Sequence, residues 1–311
     1  LMAPIIRAKL KAIQPDVLIS HNMPGFGLGL WREAHALNIP IIQVLHDYYL
    51  ICPRSTLFKN GQSCSGQCCR VFRSSHPDAS NLVTAVVGVS HAILQTHLEH
   101  GLFANTPIKQ TIYNARALPE PKHDKVKGPQ DTVTFGFIGA LSEVKGIKEL
   151  IAAFQQLLKT HGNARLLVAG NGKPEFVQEL RQMANSPMIE FLGRVDALEF
   201  FTRIDYCVAP STWRDPFPGV VYEAISQNVP VIGSKAGGIP EVIQEGVNGH
   251  LFEIGDPCTL LESLRDALRN NTVKSNIKNI RNSVIQFLDE ERMLTQYDEL
   301  SQTVTSFHRK N

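Results

Sequence analysis

Two carboxylates, Asp215 and Glu223, stand with seven residues between them in the run WRDPFPGVVYEAISQNVPVIGSKAGGIPE from Trp213 to Glu241. A Pro218-Gly219 turn lies between them and opens an apolar helical pattern. Proline suits the first turn of a helix, and glycine lets a ligand approach the backbone. The free amides of Gly219 and Val220 then face an anion, with one carboxylate before the helix and the other a turn inside it. Unpaired N–H groups and the positive end of the helix dipole favour phosphate at such a point. Glu223 is placed to accept bonds from both hydroxyls of a ribose. A diphosphate and hydroxyls in one ligand describe a nucleotide sugar. The plainer reading makes Asp215 a helix cap and Glu223 a solvated helix residue. The phosphate turn and the Gly-Gly loop that follows it put the binding reading ahead.

Other residues belong to the same chemistry. In FIGALSEVKGIKEL, Gly139 ends a strand and Lys145-Gly146 precede a helix, so the Lys145 ammonium is placed to neutralise a leaving-group phosphate. The Gly237-Gly238-Ile239-Pro240-Glu241 segment permits close backbone approach; a tight strand-to-helix turn and direct ligand contact explain it equally well. AGNG, from Ala169 to Gly172, is composed of residues common in any turn. His46-Asp47 closes a strand, where a histidine either meets a substrate or serves as a structural residue. The loop after it carries Cys52, Cys64, Cys68 and Cys69. Four thiols could hold a structural zinc ion, but the vicinal Cys68-Cys69 pair departs from paired CxxC spacing, and free thiols in a reducing cytosol are the favoured reading. Cys207 falls in a strand and is expected in the core.

Parallel α/β elements must position these residues. Short apolar runs alternate with helical patterns along the 311 residues, which argues for parallel sheets with crossover helices. DVLIS (Asp16–Ser20), IIQVL (Ile41–Leu45) and AVVGVS (Ala85–Ser90) read as strands of a first domain, with helices over Gly29–Leu37 and His91–His100. PEPKHDKVKGPQ, from Pro119 to Gln130, has no periodicity and reads as a linker. After it come VTFGFIG, RLLVAG, MIEFLG, YCVAP, VPVIG and HLF as strands. Ile147, Leu150, Ile151, Phe154, Leu157 and Leu158 mark one helix face. The expected domains are 1–120, 131–285, and a helical tail at 286–311. An open α/β domain starts with its own strand and Gly-rich loop, so the first domain is expected to lack its beginning.

Composition narrows the function classes. A 43% apolar fraction with 22 Gly and 18 Pro is that of a globular protein, and a chain this long supports a sizeable core. A net charge of +2 with interspersed signs gives no electrostatic case for nucleic acid or a strongly anionic membrane. No apolar run reaches the roughly 18 residues of a membrane span, and no leader pattern precedes a cleavage site. A cytoplasmic location is expected, at most peripheral at the inner membrane face.

Taken in order, FIGxLxxxKG, LLVAGNG, IEFLGRV, DPFPGVVYEA, PVIGSxxGGIPEVI and GVNGHLFExGD resemble the retaining glycosyltransferases of family 4 (glycosyl transferases group 1). The match runs through most of Val133 to Leu268, with sparser likeness in the HD…CP loop, VVGVSHAI and IYNA. The resemblance implies a GT-B fold, α/β, with two Rossmann-like doubly wound domains facing a cleft. It implies that Glu223 holds the nucleotide ribose and that Asp215 reaches the transferred sugar. Lys145 and the amides of Gly139, Gly219, Val220, Gly237 and Gly238 would bind the diphosphate, and the backbone around Arg194 and Val195 the base. His46 would face the sugar or the departing phosphate oxygen. Catalysis would be charge stabilisation of an oxocarbenium-like transition state, with no cofactor and no metal. The partners implied are a nucleotide-sugar donor, UDP- or GDP-linked first, and a glycan or lipid-linked glycan acceptor of cell-envelope or exopolysaccharide synthesis. Two departures stand out. Asp215 replaces the usual glutamate and is about 1.5 Å shorter, and Ala140 replaces an arginine, removing one phosphate contact. They motivate a competing reading, a non-catalytic GT-B protein that binds nucleotide sugars. A GT-B epimerase shares the architecture.

Overall fold

A computed structural model of the protein describes residues 2–59, 61–66, 69, 71–116, 119–121, 132–269 and 280–310. The chain divides into two compact units, one made of Leu1–Lys59, Ser63–Arg116 and Phe287–Asn311, the other of Asn60–Gln62 and Ala117–Gln286.

The first unit runs α1 (Ala3–Ile13), β1 (Leu18–Ser20), α2 (Gly29–Ala36), β2 (Ile41–Leu45), the short β3 (Phe58–Lys59) and β4 (Gln62–Ser63), α3 (His76–Ser80), β5 (Ala85–Gly88), α4 (His91–Glu99) and β6 (Ile108–Thr111). Its sheet has the order β1-β2-β5-β6 and is parallel throughout, with Leu18 opposite Ile41, Ile42 opposite Ala85, and Ala85 opposite Ile108. β2 and β5 are buried along their whole length, as expected of parallel strands covered on both faces. The strand expected to reach Ser90 stops at Gly88. Ser90 turns instead to cap α4, its hydroxyl accepting from the Ile93 N–H at 3.3 Å, which satisfies an otherwise orphaned amide of the first turn. β6 lies in a stretch whose polar Lys109-Gln110 sequence gives no apolar run to mark a strand.

The second unit runs β7 (Val133–Ile138), α5 (Ile147–Leu158), β8 (Ala164–Ala169), α6 (Pro174–Met183), β9 (Ile189–Gly193), α7 (Ala197–Thr202), β10 (Tyr206–Ala209), α8 (Gly219–Ser226), β11 (Val231–Ser234), α9 (Ile239–Val242), β12 (Gly249–Phe252) and α10 (Pro257–Arg269), and α11 (Asn282–Leu288) begins in it and ends in the first. These six strands form one sheet in the order β12-β11-β10-β7-β8-β9. All six regions read as strands from the sequence are present. The α5 face is the core face: Ile147, Leu150, Ile151, Phe154 and Leu157 are buried against Phe135, Leu166 and Val168 of the sheet, with Leu158 at the margin. The linker residues from 122 to 130 lie outside the described residues.

The last helix, α12 (Glu290–Lys310), groups with the first unit rather than standing apart as a tail. Met293 Sδ receives the Ala115 N–H at 3.1 Å, and His308 Nε2 lies 2.9 Å from the Asn38 carbonyl. Tyr113 meets Phe287 edge-on at 5.3 Å between ring centres. Leu300 and Val304 are buried, so the helix contributes an apolar stripe to that unit's core. Among the described residues, no helix is long and apolar enough to cross a membrane.

Candidate functional site

β7 and β10 are neighbours in the second sheet, so the loops leaving their carboxyl ends start side by side. The loop after β7 forms a 3-10 turn, Glu143–Lys145, stopped by Gly146 in the left-handed region at φ +68°. Thr212, after β10, fastens this turn. Its N–H donates to the Val144 carbonyl at 3.0 Å and its hydroxyl to the Glu143 carbonyl at 3.1 Å. The approach is so close that a Cβ on Gly146 would stand 1.7 Å from the Pro210 carbonyl oxygen. Glycine is required there on both counts. The result is that Lys145 Nζ donates to Asp215 Oδ2 at 2.7 Å, and the same ammonium sits 5.5 Å from the centre of the Trp213 ring.

Asp215 is 9% exposed and does not cap α8. Its second oxygen accepts the Phe217 N–H at 3.3 Å. Its backbone carbonyl accepts the Gly238 N–H at 2.8 Å. Gly237, at φ +53°, comes so near that an added Cβ would lie 2.3 Å from that carbonyl oxygen. The Gly-Gly turn is therefore the platform on which the acidic loop rests. The Trp213 indole N–H is buried and meets no acceptor among the described residues.

α8 begins at Gly219, with Pro218 before it and no side-chain cap. The N–H groups of Gly219 and Val220 have no intrahelical acceptor, and the helix dipole adds a partial positive charge there. Glu223 follows one turn on and is partly buried. It acts on Cys207 of β10, whose thiol is pushed up to about 12 by burial and, further, by the Glu223 charge. Cys207 is fully buried, as expected of a core strand residue. Gly139 donates its N–H to the Ala169 carbonyl at 3.1 Å. Arg194 and Val195 follow β9 at the sheet edge, two strands from β7; Arg194 is exposed and Val195 partly buried.

The first unit places His46 just after β2. Its partner, unanticipated in the sequence, is His21, just after β1: His21 Nδ1 and His46 Nε2 lie 2.9 Å apart. Parallel pairing of β1 with β2 brings the two strand ends together, and the rule applied to His46, a histidine closing a strand, also describes His21. Burial pushes His46 below the ordinary histidine value, His21 adds to this and Asp47 opposes it. In the cysteine loop, Cys52 is buried and Cys64 and Cys69 are not. Cys68 lies outside the described residues, and among those described no group of three His, Cys, Asp or Glu residues could hold a metal ion.

Residues 132–270 match the family model described as Glycosyl transferases group 1. The chain is 30% identical over 234 residues to an uncharacterized 42.6 kDa protein in the cps region of Klebsiella pneumoniae, covering 74% of this chain and 60% of that one. It is 26% identical over 286 residues to the N-acetyl-alpha-D-glucosaminyl L-malate synthase of Bacillus anthracis, covering 83% and 74%. The chain thus spans 60% of the first relative's length and 74% of the second's. Anabaena Alr3699/HepE, solved in complex with UDP and glucose, superposes with a TM-score of 0.68 at 21% identity over 97% of this chain and 81% of that one. Two parallel-sheet Rossmann-like units with this likeness define the GT-B class of α/β proteins. Within that class, the match to the glycosyl transferases group 1 model falls on residues 132–270, inside the second unit.

Proposed function

We propose that the protein is a glycosyltransferase that moves a sugar from a nucleoside-diphosphate sugar to a hydroxyl acceptor, with retention, in cell-envelope or exopolysaccharide synthesis. The observation that carries this reading is the meeting of Lys145 and Asp215 across 70 positions, on loops leaving the same sheet as the uncapped α8 N-terminus and Glu223. The UDP and glucose bound by HepE support the donor class. The relative from a cps region supports the pathway.

The second unit would divide the donor among its groups. Lysine has three N–H donors, of which Asp215 takes one, so the ammonium can still meet phosphate oxygens while the carboxylate holds it in place. The amides of Gly219 and Val220 receive the other phosphate charge. Glu223 accepts from the ribose hydroxyls, and Arg194-Val195 border the base. Both Asp215 oxygens already accept one bond, leaving a remaining lone pair on each for a sugar hydroxyl. As the glycosidic bond to phosphate breaks, negative charge grows on the leaving diphosphate and positive charge on the sugar. Lys145 and the amides stabilise the first and Asp215 the second, in geometry fixed beforehand. His46 of the first unit is proposed to act on the substrate.

The test is a melting panel with UDP-, GDP-, ADP- and dTDP-sugars, followed by turnover. A ligand at a hundred times its Kd adds about 2.7 kcal/mol, a rise of a few degrees. One nucleotide class is expected to raise the melting temperature. Slow donor hydrolysis, or transfer to an acceptor extract, is expected to vanish in Lys145→Ala and Glu223→Ala. Undiminished activity in both variants overturns the reading, and a raised melting temperature with no turnover identifies a binding protein instead.

A further inference from the structure

A polar assembly lies beneath the two histidines of the first unit. Gln43, in the middle of β2 and 2% exposed, receives the Ser20 hydroxyl at 2.6 Å and the Trp31 indole N–H at 3.1 Å on its side-chain oxygen. Its amide nitrogen donates to the Val44 carbonyl at 2.8 Å and to the His21 carbonyl at 3.4 Å. Trp31 is fully buried and Ser20 nearly so. A buried polar group is held in place when all its partners are present, so this floor fixes the end of β1 relative to the end of β2. Above it the two imidazoles meet, tilted by 31° with ring centres 5.2 Å apart, and His21 keeps one face in solvent. The same recess is lined by Asn22, Asp47 and Tyr49. Asp47 spends a side-chain oxygen on the Tyr49 N–H at 2.7 Å, and the Arg73 guanidinium lies over the Tyr49 ring, 4.5 Å from its centre.

The geometry points to His21 as a positioning residue for His46, fixing its tautomer and ring plane through the Nδ1···Nε2 contact and so deciding what His46 Nδ1 presents to a substrate. A 2.9 Å separation between two ring nitrogens holds a single hydrogen. One ring must donate and the other accept, so the proton carried by one dictates the state of its partner. The pair therefore holds at most one positive charge while the contact lasts. Asp47, the next residue in the chain, acts in the opposite sense to His21 on His46. The reactive role of His46 rests on the transferase reading above; the dyad itself does not.

The experiment uses the uniformly 15N-labelled full chain and long-range proton–nitrogen spectra of the histidine rings across pH 5–8.5, with His46→Asn assigning the resonances. In the wild type, His46 is expected in one tautomer, titrating below the free value of about 6.5. His21→Ala should mix the His46 tautomers and raise its midpoint. His21→Asn sets an amide where Nδ1 stood, so it should restore the single tautomer while still raising the midpoint, because the like charge is gone. In turnover, His21→Ala should lower kcat about tenfold or more, short of the hundredfold or greater effect typical of a general acid–base group, with donor KM unchanged, and His21→Asn should recover most of it. His46 showing the same tautomer and midpoint in wild type and His21→Ala overturns the inference. So does an unchanged kcat in His21→Ala. If the wild type turns over no donor, the transferase reading fails by itself, while the spectra still decide the dyad.

Discussion

Asp215 shows how a short side chain still reaches a partner on a neighbouring loop. Its reach falls one methylene short of glutamate, but the Glu143–Lys145 turn is drawn in by Thr212 and by the missing Cβ of Gly146, and Lys145 closes the gap at 2.7 Å. The side chains of the pair are 13% and 28% exposed, so most of the Coulombic gain is offset by the cost of taking both charges out of water. Its worth lies in orientation. In Asp215→Asn the ammonium loses its charged partner and is free to swing away from the phosphate. A charge-assisted bond is worth about 1.5–3 kcal/mol, so donor affinity should fall roughly tenfold to a hundredfold with melting temperature nearly unchanged. Calorimetric titration of the donor into wild type and variant reads this directly, and equal affinities refute it.

Among the elements, α4 carries a built-in pH dependence. His97 is fully buried, its Nδ1 2.8 Å from the Ile93 carbonyl and its ring stacked on Tyr48 at 5.9 Å. Burial holds it down at about 4, so the ring is neutral in the fold, with Nε2 buried and unpartnered among the described residues. In the unfolded chain the same histidine protonates near 6.5. Between those values the unfolded state binds more protons, so stability is intact above about pH 6.5, declines as pH falls, and levels off below about 4. The difference amounts to about 3 kcal/mol. Urea unfolding of the first unit at pH 7.5 and 4.5 should show this loss, and His97→Phe should shrink it; an equal loss in the variant would assign the effect to other groups.

For the whole molecule, the chain leaves the first unit at Arg116, builds the second, and returns at Phe287. Two units of this kind unfold as separate transitions when their coupling is weak. Ending the chain after Leu288 removes α12, with its buried Leu300 and Val304, from the first unit. Each buried aliphatic side chain contributes about 1.5–3 kcal/mol. The first unit's transition should therefore fall sharply or vanish, while a donor nucleotide still raises that of the second. Hydrogen exchange on the shortened chain distinguishes the two: new exposure in β2 and β5 is expected, with β7 and β8 protected as before. Loss of protection in both units would show that α12 serves the second unit as well.

Much of this was legible in the residues. The apolar periods of α5 and of the strands in the second unit, the Pro218-Gly219 helix start and the Gly stops depend on sterics and hydrogen bonding within a few residues, and local sequence records these. β6 carries no period in its polar stretch, and the strand at Ala85 ends at Gly88, short of the end of the apolar run, because Ser90 serves as a cap. Lys145 and Asp215 were each singled out, but their bond spans 70 positions; the His21–His46 contact spans 25, and α12 returns across the whole second unit to Asn38. Such meetings follow from which strands lie side by side in a parallel sheet. Strand order is set by the packing of all the crossover helices at once, and no local spacing encodes it. The sequence alone therefore determined the local elements and singled out candidate residues, and the tertiary structure decided which of them touch.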